Sequence, residues 1–221
     1  MVKFIYCCSF IFFSFSFSAN AKKSEPLFCS NQIVAHKTQN GYTWTLASRL
    51  GELMGYAEKE YGERNKTWTI LGTEFTDREQ PRNWNPFYYQ GKKNIIIQLS
   101  KKAAHDEKEA MFQLAHETFH ALVAPGKNDA TFFEEGLATY FSIQATRRTG
   151  VKIKPSYIAS SKYRKAFDLV KAVYKAHPDA GKRITSFRKK GIHPSSLNEK
   201  HLKIVFPNIE ASVARQLAER F

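Results

Sequence analysis

The segment 116–120 is the feature that most limits how this chain can fold. It reads His-Glu-Thr-Phe-His inside a run that is typical of a helix, with His116 and His120 four residues apart. Residues at this spacing lie on one face of an α-helix, about one turn from each other. Both imidazoles can therefore bind one Zn²⁺, and Glu117 can act as general base on a water molecule at the metal. The alternative is a helix with two ordinary surface or core histidines.

A catalytic zinc site needs a further ligand, because such sites usually combine three protein ligands with one open position. Glu134 and Glu135 are the natural candidates in the segment that follows. Thr131-x-x-Glu134 matches a capping box, which predicts that Thr131 caps a helix and that Glu134 reaches back to the cap amide. Glu135 points about 100° further around the axis. It is either a metal ligand or a first-turn acid favoured by the helix dipole.

A family resemblance enters at this second segment. Glu135-Gly136-Leu137-Ala138-Thr139-Tyr140 resembles the E-G-x-A-x-Y signature that follows H-E-x-x-H in gluzincins, a clan of zinc peptidases. The resemblance extends from His116 to Tyr140. It implies one Zn²⁺ per chain, a peptide or protein substrate, Glu117 as the catalytic base, and three metal ligands: His116, His120 and Glu135.

The spacing between the two motifs differs from the large aminopeptidases of that clan. Only fourteen residues separate His120 from Glu135. A compact zincin-like domain is therefore expected, with a short loop at Pro125 and Gly126 joining two helices, since both residues are good helix-ending residues.

Other residues downstream are weaker candidates for the site. Tyr140, Tyr157 and Tyr163 can each supply a donor that assists an oxyanion, although an ordinary amphipathic tyrosine is the favoured interpretation of each. Three further histidines have no partner at ligand spacing, and we predict that they are structural or solvent-exposed. These are His177, His193 and His201.

The N-terminal 21 residues have the pattern of a secretory signal peptide. Lys3 precedes an apolar run through Phe17, and Ala19-Asn20-Ala21 ends it. Cleavage after Ala21 predicts a secreted or periplasmic protein without a transmembrane anchor. An uncleaved anchor is the alternative, but the apolar stretch is short for a membrane span. Cys29 is then the only mature cysteine, which excludes an intrachain disulfide.

The charge balance is strongly basic, with 34 Lys and Arg residues against 20 Asp and Glu residues and a formal net charge of +14. The basic residues are spread along the chain, which predicts weak attraction to anionic surfaces and no specific binding of nucleic acid. Two alternatives to a peptidase remain. One is a non-proteolytic zinc-binding scaffold, which would not need Glu117. The other is a basic module for an anionic polymer, with an accidental motif.

The overall pattern predicts an α+β fold, in which a small sheet from the N-terminal half packs on a mainly helical domain. We predict that residues 22–40 are a polar lead-in and that residues 41–221 form one domain, which the gluzincin resemblance implies is zincin-like. Helices are predicted at 42–61, 104–123, 132–148, from 156 to His177-Pro178, at 179–189 and within 207–221. Strands are predicted at 67–71, 87–89 and 94–99, with the last two as a hairpin and 73–86 as a loop.

Strand 94–99 has two interpretations. The gluzincin resemblance implies an exposed edge strand that binds substrate backbone, whereas the unbroken Ile95-Ile96-Ile97 favours a core strand buried on both faces.

Overall fold

The computed structural model describes residues 37–38, 41–42, 45–86, 88–89, 92–124 and 129–221. The predicted signal peptide, Cys29, most of the lead-in and the predicted loop at Pro125 and Gly126 lie outside these residues. The fold class is α+β, as predicted, with a small sheet against a mainly helical domain.

One strand lies at the centre of the sheet and pairs on both of its sides. The sheet consists of β3 (Trp68–Phe75), β4 (Arg82–Trp84), β5 (Tyr88–Tyr89) and β6 (Lys92–Leu99), and a separate pair joins β1 (Lys37–Thr38) to β2 (Gly41–Tyr42). β6 is parallel to β3 and antiparallel to β4 and β5. The β5–β6 pairing confirms the predicted hairpin. The edge-strand interpretation of 94–99 is wrong, because β6 is internal and Ile95, Ile97 and Leu99 are fully buried.

The prediction of a loop over 73–86 is only partly correct. The end of β3 continues in register with β6 through Phe75, and β4 pairs with the other side of β6. Pro81 and Pro86 flank β4. Proline cannot donate to a strand ladder, so it is tolerated beside an edge strand. The polar, proline-containing segment thus includes a short edge strand that its composition did not predict.

The described residues contain seven α-helices. They are α1 (Leu46–Tyr61), α2 (Glu107–Val123), α3 (Phe132–Arg148), α4 (Ser161–Ala176), α5 (Ala180–Lys189), α6 (Glu199–Val205) and α7 (Ala211–Ala218). All but α6 were predicted. None of the helices in these ranges combines the length and apolarity that crossing a bilayer requires.

Two helices begin later than predicted because of local capping. α1 starts after Thr45, which forms a reciprocal capping box with Ser48. α4 starts after Ser160, whose side chain accepts from the Tyr163 amide, while residues 155–157 form a separate 3₁₀ turn. In both cases a hydroxyl satisfies an amide that has no partner within the helix.

Helix α2 forms the middle of the core. It packs against α1, strand β6 and helix α3. Most of its residues are buried, including Leu114, Phe119 and Leu122. A helix covered on several sides keeps its polar side chains only where they have partners or line a cavity. Gln113 and Thr118 find partners in Ser100 and the Leu114 carbonyl, whereas His116 and Glu117 line a cavity.

Candidate metal centre

Helix α2 directs its two histidines at one point. The Asp106 side chain caps the helix by accepting from the amides of Lys108 and Glu109, at 2.8 and 3.2 Å. One turn apart, His116 and His120 bring their Nε2 atoms to 3.2 Å, with ring centroids 4.9 Å apart. The predicted helical geometry of the motif is confirmed.

Helix α3 brings a carboxylate to the same point. Thr131 caps this helix, its hydroxyl accepting from the Glu134 amide at 3.3 Å. In the first turn, Glu135 places Oε2 at 3.1 Å from Nε2 of His116 and Oε1 at 3.5 Å from Nε2 of His120. The three residues predicted as ligands are therefore neighbours in the fold.

The spacing of these three side chains suits a metal ion. Their potential ligand atoms all lie within 4.8 Å of one another. In a tetrahedral site with bonds of about 2.0–2.1 Å, neighbouring ligand atoms are roughly 3.3–3.4 Å apart. The Nε2 atoms of the two histidines are 3.2 Å apart, close to that value, while one Glu135 oxygen lies 3.1 Å from His116 and the other lies 3.5 Å from His120. This buried group can hold a metal ion, and imidazole and carboxylate ligands suit several divalent transition metals.

The electrostatics of the centre favour a cation. Burial opposes the charge on His120, but the carboxylates of Glu135 and Glu134 together outweigh it and raise the pKa of His120 well above its usual value. Burial also acts to raise the pKa of Glu135, and the charge of His120 and hydrogen bonds with both histidines lower it below its usual range. Positive charge at this point is stabilised, whether a proton or a metal ion carries it.

Glu117 lies in the same cavity as the three potential ligands. The cavity has a volume of about 350 Å³ and is also lined by Pro81, Arg82 and Asn83 from the segment that begins β4. Burial raises the pKa of the Glu117 carboxyl, while the backbone amide of Asn83 favours its ionised form. The Asn83 side chain donates to the Glu117 carbonyl at 3.0 Å, which ties β4 to α2 at this residue.

Glu134 does not have the role predicted by the capping-box pattern. Thr131 caps α3 as expected, but the Glu134 carboxylate accepts from Nδ1 of His120 at 3.0 Å. A buried carboxylate needs a strong donor, and the imidazole N–H supplies one. With its proton on Nδ1, His120 presents the lone pair of Nε2 towards His116 and Glu135. Such outer partners orient histidine ligands in metal sites.

His193 is a structural residue, as predicted, and its hydrogen bonds hold the chain next to the cavity. Its Nε2 donates to the carbonyl of Ala124 at 2.8 Å, and its Nδ1 accepts from the Ser195 amide at 3.1 Å. Ala124 lines the cavity. Neither His193 nor Asn83 carries a sequence signal for this placement, because each reaches the site only through the packing of distant segments.

Of the three tyrosines considered from the sequence, Tyr163 is the one that lines the cavity. Its ring centroid lies 5.6 Å from that of His116, and burial raises the pKa of its hydroxyl. Tyr140 instead stacks on Tyr174 with ring centroids 4.4 Å apart, and Tyr157 donates to Glu109.

Comparisons with protein-family models, with curated proteins and with solved structures find no match to this chain. A functional argument must therefore come from the geometry and chemistry of the site itself.

Proposed function

We propose that this protein is a secreted or periplasmic zinc-dependent peptidase of the gluzincin type. The observation that carries the proposal is the buried group of His116, His120 and Glu135, whose potential ligand atoms lie within 4.8 Å of one another, with Glu117 in the same cavity. These three side chains would hold the zinc and leave one position open. When bound, zinc supplies a Lewis acid that polarises a carbonyl and lowers the pKa of a water molecule.

Glu117 would move the proton. One of its carboxylate oxygens accepts a proton from the attacking water, and the same carboxyl then donates it to the nitrogen of the leaving amine. Burial raises its pKa, so the protonated form that the second step needs is more accessible. The contact between Asn83 and the Glu117 carbonyl holds this part of α2 against β4.

Tyr163 would donate a hydrogen bond to the oxygen of the scissile carbonyl. Its raised pKa keeps the hydroxyl protonated, and its ring lies beside His116 at the cavity wall. A fixed donor at this position stabilises the negative charge that develops on the oxygen in the transition state.

The sheet supports a peptide as the substrate. β4 is the outer strand beside β6, and Arg82 and Asn83 of β4 line the cavity. An extended peptide can add to such an edge through main-chain hydrogen bonds, which hold it across the site. The edge-strand role first considered for 94–99 is thus proposed for β4.

The first experiment measures zinc in the mature protein by elemental analysis, for the wild type, His120→Ala and Glu135→Gln. We expect close to one zinc per wild-type chain and a marked loss in both variants. A wild type that binds no zinc even when zinc is supplied would contradict the proposal and favour a basic binding module.

The second experiment separates metal binding from catalysis. We expect Glu117→Gln to retain its zinc but to hydrolyse a library of quenched fluorescent peptides roughly 10²–10⁴ times more slowly, because it lacks the proton carrier. The exposed Glu107→Gln on the same helix is the matched control. Zinc binding without peptide hydrolysis in the wild type would indicate a non-proteolytic zinc scaffold.

A further inference from the structure

A second cavity lies near the other end of α2, away from the histidines. It has a volume of about 710 Å³ and is formed largely by the segment that links α3 to α4. Its lining includes Lys108 on α2, eight residues before His116, which corresponds to roughly 12 Å along the helix axis. The cavity is therefore separate from the candidate metal centre.

Four cationic residues line this cavity. They are Lys108, Arg147, Lys152 and Lys154, and the lining contains no carboxylate. None of the four forms an ion pair within the described part of the chain. All four residues are exposed, and together they give this concavity a positive potential that attracts an anion.

The remaining lining residues give the cavity an apolar side and one fixed cation. Val151, Ile153 and the ring of Tyr157 line it beside the charges. Arg147 donates from Nε to the Ile153 carbonyl at 2.8 Å, which orients its guanidinium. An oriented guanidinium can use its terminal nitrogens to bind an oxyanion.

Two carboxylates act on Tyr157 at the edge of this cavity, and both are engaged elsewhere. Asp106 accepts from the amides of Lys108 and Glu109. The Glu109 carboxylate accepts the Tyr157 hydroxyl and lies 3.5 Å from Lys102, which is outside the lining. Glu109 therefore engages the tyrosine hydroxyl, while the Tyr157 ring has the Lys108 ammonium 5.9 Å from its centroid and packs edge-on against Phe112. The charge of Glu109 is partly balanced without any of the four cavity cations.

We propose that this cavity binds a small, multivalent organic anion with an apolar body. Four cations favour a ligand with several phosphate, sulfonate or carboxylate groups, and the apolar side favours a ring or short chain attached to them. The concave shape suits a discrete small molecule better than a flat anionic surface. This inference does not depend on the proposed peptidase activity.

The test uses pyrene-1,3,6,8-tetrasulfonate, a fluorescent aromatic ring with four sulfonates, followed by anisotropy. Binding to the wild type is compared with Lys152→Gln/Lys154→Gln and with Lys200→Gln/Lys203→Gln, a control that removes two charges from exposed positions on α6. We expect saturable binding at one site, weakened at least tenfold in the first variant and less than twofold in the control. Competition by tripolyphosphate or by citrate then distinguishes a phosphate ligand from a carboxylate ligand.

Two outcomes would overturn the proposal. Equal weakening in both variants would mean that the probe responds to the overall positive charge of the chain, and the absence of saturation would mean that there is no site. Metal chelation by the competitors cannot produce the expected difference, because all three proteins have the same His116, His120 and Glu135.

Discussion

Glu134 and Glu135 are adjacent in the chain and differ in direction by about 100° around α3. Glu135 faces Nε2 of both histidines, and Glu134 reaches Nδ1 of His120. The two carboxylates thus contact opposite nitrogens of one imidazole. At the residue scale, this arrangement fixes the tautomer of His120 that a metal ligand needs.

Replacing Glu134 should weaken metal binding without removing a ligand. We expect Glu134→Gln to lower zinc affinity roughly 10–100-fold, because the Nδ1–H of His120 loses its ionised acceptor. Competition with a chromophoric chelator measures this affinity, and circular dichroism checks the fold. Glu107→Gln, an exposed first-turn glutamate of α2, should bind zinc like the wild type. Unchanged affinity in Glu134→Gln would mean that the contact does not orient His120.

The same charges predict how the metal-free protein responds to pH. The pKa of His120 is raised above 6.5 by folding, so its contribution to stability is complete below that pH and is lost as the pH rises through the folded value. The pKa of Glu135 is lowered, so its contribution is present above 4.5 and is lost as the pH falls. Both residues therefore contribute their full stabilisation only between about pH 4.5 and pH 6.5.

Urea unfolding tests this pH dependence. We expect the metal-free wild type to lose stability as the pH rises above about 6.5, and the metal-free His120→Gln variant to lose less. The zinc-loaded wild type should keep its stability over this range, since the metal replaces the proton and requires neutral imidazoles. Parallel losses in the metal-free wild type and in His120→Gln would contradict the assignment to His120.

At the scale of elements, Gly136 sets the distance between α3 and α4. A Cβ at this position would lie 2.5 Å from the Ala166 carbonyl oxygen and 2.6 Å from a methyl group of Val170. The close approach brings Tyr163, near the start of α4, to the cavity that contains Glu135. The glycine beside the proposed ligand Glu135 therefore has a packing role that the motif alone does not explain.

Two glycines in helices should respond to alanine in opposite directions. Gly136→Ala should lower the free energy of unfolding by at least about 1 kcal/mol, because overpacking costs about 1–3 kcal/mol and exceeds the gain in helix propensity. Gly51→Ala in α1 has no atom within 4 Å of the new Cβ, and it should stabilise by about 0.5–1 kcal/mol. Urea unfolding of both variants measures the difference, and equal effects would mean that the helices can separate without cost.

At the scale of the whole molecule, Arg188 joins three helices. From α5 it donates to the carbonyls of Tyr61, Gly62 and Glu63 at the end of α1, and to Leu122 in the last turn of α2. These carbonyls follow helix ends or lie in a final turn, where intrahelical donors are missing. One guanidinium thus satisfies them and anchors the end of the helix that carries His120.

Removing this guanidinium should destabilise the whole domain. We expect Arg188→Met to lower the free energy of unfolding by at least about 1.5–3 kcal/mol, the contribution of one hydrogen bond to a charged group. Lys189→Met, the next residue and an exposed one, removes the same charge and should change stability by less than about 0.5 kcal/mol. Chemical unfolding compares the two variants, and equal effects would assign the loss to net charge rather than to the carbonyl contacts.

Local sequence patterns determined where the main helices of this fold form. Apolar periodicity located α2 to within three residues at its start, and periodicity together with the Thr131 cap located α3, because helix spacing and caps depend on residues within one or two turns. The H-E-x-x-H spacing also determined that His116 and His120 share a face. The proximity of these two histidines could be predicted from the helix alone, without knowledge of the tertiary structure.

Tertiary structure decided everything that joins distant segments. β4 pairs with β6 across an intervening stretch of chain, so a short polar segment became an edge strand. The Glu134 carboxylate contacts His120 instead of the predicted cap amide. Asn83 and Tyr163 line the cavity although they belong to separate elements. Such contacts depend on how buried faces pack, and the periodicity of a single segment carries no information about the partner that will cover it.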